Sequence, residues 1–339
     1  MRKNLSAKKG TVHRLVIESQ LLKNNWLKDP NVRELIVYTP PDYDSTKPYP
    51  VFMDLAGYTG SGQSHANWKP FGLSLPERLD TLISSGKMGP VVAVLPDCFT
   101  SLGGNQYINS TATGPYMDYL IDEVIPFIEQ RFSVIKNKNG RAVFGKSSGG
   151  YGSMIHGLRR PDVWGAIACH SGDAYFEYVY LQDMPALLNV LLRHSSSVKK
   201  FLEHVYSKEK LKSDEAHALM SIGMAAHYDP DPTSELGFHL PIDLHTGEIN
   251  WDRWQIWLQH DPVRLLEKTL EAARSLRGLF IDCGTRDQYK LLWGARMLNR
   301  RLLQNGIKHE YQEFDDDHSD IDYRMNESLP YLYRSLSTQ

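Results

Sequence analysis

Cysteine is scarce in this chain: three in 339 residues, Cys98, Cys169 and Cys283, odd in number and without a spacing pattern. A disulfide framework is therefore not expected, and the thiols read as small apolar packing groups in a reducing cytoplasm. Long apolar runs are missing too. None approaches the roughly 18 residues that would span a bilayer, so no membrane partner is expected. The basic opening from Met1 to Gly10 has no apolar stretch behind it, and a secretion signal is not expected there. Charge of one sign is also lacking. A net charge of −2 gives no reason to expect nucleic acid as a partner. There is no internal repeat and no low-complexity tract. With 41% hydrophobic and 23% charged residues, what remains is a globular chain with a sizeable core. Its length exceeds that of a typical single domain but suits one α/β domain carrying an insertion.

What is present centres on Gly145-Lys146-Ser147-Ser148-Gly149, a serine inside G-x-S-x-G. Arg141 to Phe144 before it is short and apolar like a buried strand. Tyr151 to Arg160 after it reads as a helix stopped by Pro161. Strand, tight glycine turn and helix together define a nucleophile elbow. Glycines flank the serine so that strand and helix can approach while the hydroxyl projects outwards. The same letters also fit G-x-x-x-x-G-K-[ST], from Gly140 to Ser147. A phosphate loop, however, has its strand before the first glycine, and here the apolar strand lies inside the would-be loop. The nucleotide-binding reading is the weaker one.

The order of elements predicts an α/β fold. Val12–Glu18 and Val32–Tyr38 read as antiparallel opening strands. Val51–Leu55, Val91–Leu95, the Ala142 strand, Gly165–Cys169, Gly278–Asp282 and Glu310–Phe314 follow. Helices are predicted over Tyr116–Arg131, after the elbow, and over Leu291–Leu303. Such alternation implies a mostly parallel central sheet with helices on both faces and reacting groups at the carboxyl ends of its strands. The alternation stops after Asp173. Met184–His194 and Ser213–His227 are helical in pattern, and Trp251, Trp254 and Leu258 mark one face of another helix. Residues 1–174 and 275–339 are thus expected to form the core, and 175–274 a helical insertion placed to cover the elbow. Most of its apolar positions are packing, but junctions of this kind also favour pockets.

A serine hydroxyl needs a positioned base, normally a histidine oriented by a carboxylate. Downstream of Ser147 two strands run into loops with suitable residues: Cys283-Gly-Thr-Arg-Asp287 and Asp315-Asp-Asp-His318. Asp287 and His318 are the predicted acid and base, in the order Ser, acid, His. Asp173 also follows a strand and stands as the alternative carboxylate. Asp282 is expected to be buried in its strand, His170 to be structural, and His309 lies at the wrong end of a strand. The acidic run before His318 lacks the glycine of a calcium loop and the spacing of zinc motifs, so no metal and no other cofactor is expected. The oxyanion donors are predicted as the backbone N–H of Ser148 and an N–H from the glycine-rich loop Ala56–Gly62, Tyr58 first and Gly57 next.

These residues carry a resemblance. Tyr38–Tyr43, Asp54–Tyr58, Leu95–Asp97, Leu120–Pro126, Gly145–Gly150, Cys283–Asp287 and His318 are similar to the motifs of an esterase family of α/β-hydrolases. That family includes feruloyl and acetylxylan esterases, enterochelin esterases, S-formylglutathione hydrolases and mycobacterial mycolyltransferases. The resemblance implies an α/β-hydrolase fold, with nucleophile Ser147, acid Asp287, base His318 and oxyanion donors at Tyr58 and Ser148. The chain departs from the family beside the serine, where Lys146 and Ser148 stand in place of the usual His or Met. It departs again in its long insertion, and at Asp320, where an aromatic is usual after the histidine. The expected activity is cleavage of a small-molecule carboxylic ester or thioester through an acyl-enzyme. The alternatives are an acyltransferase of the same fold and an inactive binding scaffold; assembly as a homo-oligomer is left open.

Overall fold

The computed structural model describes residues 7–337. Eight strands form one sheet: β1 (Thr11–Glu18), β2 (Val32–Thr39), β3 (Val51–Leu55), β4 (Val92–Pro96), β5 (Arg141–Lys146), β6 (Ala166–His170), β7 (Gly278–Gly284) and β8 (Glu310–Phe314). Their spatial order is β1-β2-β4-β3-β5-β6-β7-β8. β2 pairs antiparallel with β1 and with β4, and every later pairing is parallel. Parallel neighbours cannot be joined by a tight turn and need a crossover connection, usually helical.

The central strands are buried on both faces, and their two-residue period divides them between two cores. Val51, Met53, Leu55, Val143, Ile167 and Ile281 face one core. Phe52, Ala142, Phe144, Ala168 and Phe280 face the other. The second core is closed by α1 (Leu75–Ser84) and by the C-terminal helix, through Leu79, Leu82, Leu329 and Leu332. Ser74 starts α1 with a capping box: its hydroxyl accepts the Glu77 N–H while the Glu77 carboxylate accepts the Ser74 N–H.

The predicted helix over Tyr116–Arg131 is not uniform. A single α turn at Tyr116–Asp118 passes into a π-helical stretch at Tyr119–Val124, and only then into α2 (Ile125–Arg131). Pro126 has no N–H to donate. Just before it, the Ile125 N–H reaches back five residues to the Leu120 carbonyl, the register of a π bulge. The elbow helix α3 starts earlier than predicted and spans Ser148–Arg159.

From residue 171 to 277 the chain forms no strand, only isolated bridges. It holds α4 (Met184–Leu192), α5 (Val198–Tyr206), α6 (Ser213–Tyr228) and α7 (Trp251–Leu258), then shorter turns at Pro262–Lys268 and Leu270–Ser275. α5 was not predicted, although Ser197 caps it by accepting the Lys200 N–H. α8 (Leu291–Gln304) and α9 (Met325–Ser337) complete the fold.

Candidate active site

β5 delivers the chain to Ser147 at the carboxyl end of the sheet. Ser147 has φ +58° and ψ −124°, a conformation that costs an L-residue about 1–3 kcal/mol. The surrounding hydrogen bonds hold it there: the Ser147 N–H donates to the His170 carbonyl at 2.9 Å, and its own carbonyl accepts the Tyr151 N–H at 2.8 Å. Two glycines make the turn sterically feasible. A Cβ at Gly149 would lie 1.8 Å from the Leu55 carbonyl oxygen, and one at Gly145 would lie 2.4 Å from that same oxygen. Ser147 itself stays partly exposed. Arg141–Lys146 is a strand, not a loop, so the phosphate-loop reading of Gly140–Ser147 fails: there is no backbone cradle for phosphate.

Asp287 lies on the turn after β7 and His318 on the loop after β8. They meet at 2.7 Å, His318 Nδ1 to Asp287 Oδ2. The other Asp287 oxygen accepts the Tyr289 N–H at 2.9 Å. His318 is fixed further by its backbone N–H, which donates to Gln288 Oε1, and by the edge of the Tyr289 ring at 4.8 Å. A carboxylate at Nδ1 selects the tautomer in which Nδ1–H donates and Nε2 is left to accept a proton. Ser147 and His318 line one cavity of about 130 Å³.

Gly57 and Tyr58 line that cavity too, as does Ser148. A Cβ on Gly57 would stand 3.6 Å from Ser147 Cβ, so the loop after β3 runs directly beside the elbow. Tyr58 is pinned at both ends: its carbonyl accepts the Gly104 N–H and its hydroxyl donates to the Leu102 carbonyl. Among the described residues neither the Tyr58 nor the Ser148 backbone N–H has a protein acceptor. Ser148 opens α3, where the first N–H groups are free by construction and the helix dipole favours negative charge.

Asp173 also borders the cavity, but its carboxylate accepts the Tyr180 hydroxyl at 2.7 Å rather than the His318 imidazole. Burial pushes its pKa up to about 6. Several wall residues were not anticipated. Lys146 lines the cavity and its Nζ donates to the His318 carbonyl at 3.2 Å. Gln106, donating to Ser148 Oγ and accepting from Tyr228, braces the first turn of α3. Val179, Tyr180 and Met220 reach the cavity from the stretch between β6 and β7. Nothing in their spacing marks them out from packing residues.

The acidic run before His318 is dispersed among protein partners: Asp315 on Arg286, Asp316 on the Tyr323 hydroxyl, Asp317 on the Ser319 N–H. A second Ser/His/Asp arrangement lies elsewhere. His170 Nδ1 is 2.7 Å from Asp282, whose other oxygen accepts from Arg324, and His170 Nε2 is 2.8 Å from Ser328 Oγ. These three are at most 1% exposed, so no substrate reaches them. Their task is to tie β6, β7 and α9 together. Asp282→Ala removes the shared partner of His170 and of the Arg324 guanidinium, which keeps the Gln312 amide oxygen, and is expected to lower unfolding free energy by up to about 3–5 kcal/mol. Urea denaturation measures this loss, and kcat of the folded enzyme should be unchanged.

A strained serine at the end of a central parallel strand, facing the cavity of a carboxylate-bound histidine, defines an α/β-hydrolase. Residues 30–327 match the family described as "Putative esterase". The chain belongs to that family. A bifunctional endo-1,4-beta-xylanase/feruloyl esterase of Xylanibacter ruminicola is 31% identical over 116 residues, covering 34% of this chain and 16% of that protein. The chain thus spans only a small part of that relative. Among solved structures, a ferulic acid esterase superposes with TM-score 0.63 at 19% identity, covering 96% of this chain and 99% of the other. An S-formylglutathione hydrolase from Staphylococcus aureus gives TM-score 0.59 at 15% identity, covering 97% and 99%. At those identities the superpositions speak for the fold. Among the described residues no helix is long and apolar enough to cross a membrane.

Proposed function

We propose that the chain cleaves carboxylic esters or thioesters through an acyl-enzyme on Ser147, with His318 as general base and Asp287 as its orienting acid. The observation that carries this is the 2.7 Å bond between Asp287 and His318 Nδ1, beside a cavity that the strained Ser147 shares. In the proposed cycle His318 Nε2 takes the hydroxyl proton as Ser147 Oγ attacks the carbonyl carbon. The N–H groups of Tyr58 and Ser148 receive the oxyanion. His318 then returns the proton to the leaving alcohol or thiol, and water clears the acyl group by the same steps. Asp287 stays ionised throughout and stabilises the imidazolium.

A fluorophosphonate probe tests the assignment. One equivalent is expected on the peptide carrying Ser147 and none after His318→Ala. Labelling elsewhere, or none at all, removes the proposal. Product analysis with added alcohol separates hydrolysis from acyl transfer.

The size of the cavity supports a preference for short acyl groups. About 130 Å³ is close to the roughly 150 Å³ of a cavity that takes a single benzene ring, with Val179, Tyr180 and Met220 of the region 175–274 as part of the wall. That wall is the support for reading 175–274 as a cover over the site. On p-nitrophenyl esters, kcat/KM is expected to fall at least tenfold between acetyl or butyryl and decanoyl groups, because extra methylenes find no space. A flat profile across chain length would contradict this.

A further inference from the structure

We propose that His194, His204 and Glu215 form a binding site for a divalent transition ion of the zinc class, clamping the ends of α4, α5 and α6. The three side chains come from three elements: His194 just past the end of α4, His204 in the last turn of α5, and Glu215 in the first turn of α6. Each offers one ligand atom, and these atoms all lie within 4.8 Å of one another.

The geometry is close to that of a loaded site. His204 Nε2 and Glu215 Oε1 are 3.0 Å apart. Donors about 2.0–2.1 Å from a tetrahedral zinc stand roughly 3.3 Å from each other, so this pair already has the required spacing. The His194 ring lies with its centroid 4.7 Å from that of His204. It completes the set by a ring rotation and a shift on the order of 1–1.5 Å, which its partly exposed position allows. Among the described residues the His194 ring nitrogens have no hydrogen-bond partner; the ring packs against the Phe201 and His204 rings.

The carboxylate is oriented as metal ligands are. Glu215 is 5% exposed, and its second oxygen accepts the Lys212 backbone N–H at 2.9 Å, leaving Oε1 aimed at the imidazoles. Such outer hydrogen bonds fix the orientation of a ligating group. Two imidazole nitrogens and one carboxylate favour zinc, cobalt or nickel over magnesium and calcium, which prefer all-oxygen sets. Both imidazoles are partly exposed, so water has access to a fourth position. His194 and His204 also sit at helix C-terminal ends, where the dipole favours a cation.

A metal here would hold the start of α6, the helix whose Met220 lines the cavity of Ser147. Its role would be to stiffen the region between β6 and β7. Neither histidine nor Glu215 borders that cavity, so the proposal stands or falls apart from the catalytic one.

The test uses the full chain stripped with chelator. Zinc should bind at one equivalent by calorimetry and raise the melting temperature by a few degrees at saturation. Cobalt(II) should give the visible d–d absorption of a low-coordinate site, and magnesium should do nothing. His194→Ala with His204→Ala should abolish the shift and the cobalt spectrum. Glu215→Gln, which keeps a helix-capping acceptor, should weaken zinc binding by about tenfold or more. Ester hydrolysis by the stripped variants, equal to that of the stripped parent, certifies that they are folded. Absence of a zinc-dependent shift, or a shift and cobalt spectrum that persist in the double variant, overturns the proposal.

Discussion

Ser147→Ala is expected to lower kcat on an activated aryl ester by about 10³–10⁶, in line with losses measured for other serine triads. Ser148, the other hydroxyl at the elbow, is buried and accepts from Gln106, which leaves the Ser147 hydroxyl as the attacking group of the proposed cycle. What survives would come from water attack on an ester still polarised by the Tyr58 and Ser148 N–H groups. Alanine keeps the Cβ and with it the backbone strain of φ +58°, so melting behaviour should scarcely change. Ser147→Gly separates the two effects. Glycine adopts positive φ without penalty, so this variant should be equally inactive yet more stable, by about 1–2 kcal/mol. Steady-state kinetics and urea unfolding of the three proteins measure both quantities. An alanine variant that retains most of the activity would remove Ser147 from the chemistry. A glycine variant no more stable than alanine would mean the turn stores no strain.

That strain explains why the elbow was legible from sequence. Gly145 and Gly149 are required by contacts with a single carbonyl, that of Leu55, and such short-range steric needs leave a local letter pattern. Asp287 and His318 were legible for a related reason. Each follows a strand, and parallel strands in one sheet deliver their following loops to the same edge. The central strands could be read because their burial on both faces makes them short apolar runs, whereas the edge strands β1 and β8 are largely exposed or half-buried. The π stretch at Tyr119–Val124 was not, since register inside a helix turns on the missing N–H of one proline rather than on periodicity. α1 is marked in the sequence by Ser74 and Glu77, the capping-box pair. The cavity wall was out of reach. Met220 sits on α6, which is buried almost all round, and an apolar helix does not say which of its faces borders a void. Gln106 acts through contacts more than 40 residues away in sequence, with Ser148 and Tyr228. The cluster of His194, His204 and Glu215 has spacings unlike any short metal motif, and only the packing of three helices brings it together.

Two carboxylates border the chemistry, and replacing each by its amide should tell them apart. Asp287→Asn is expected to cost about 10⁴ in kcat, by analogy with the equivalent change in other serine triads. The amide presents an N–H to His318 as readily as an oxygen, so the imidazole can settle in the tautomer whose Nε2 carries the proton and cannot accept one from Ser147. The loss should be in kcat rather than KM, because Asp287 lies behind the histidine and does not line the cavity. Asp173→Asn keeps an acceptor for the Tyr180 hydroxyl, now 2.7 Å from the carboxylate, and leaves the imidazole untouched. Its kcat on a simple aryl acetate should stay within about tenfold of the parent. The ordering is the informative outcome. If Asp173→Asn proves the more damaging of the two, the histidine must be served by the carboxylate after β6 during turnover, and the 2.7 Å bond to Asp287 would then belong to a resting arrangement rather than to the reacting one.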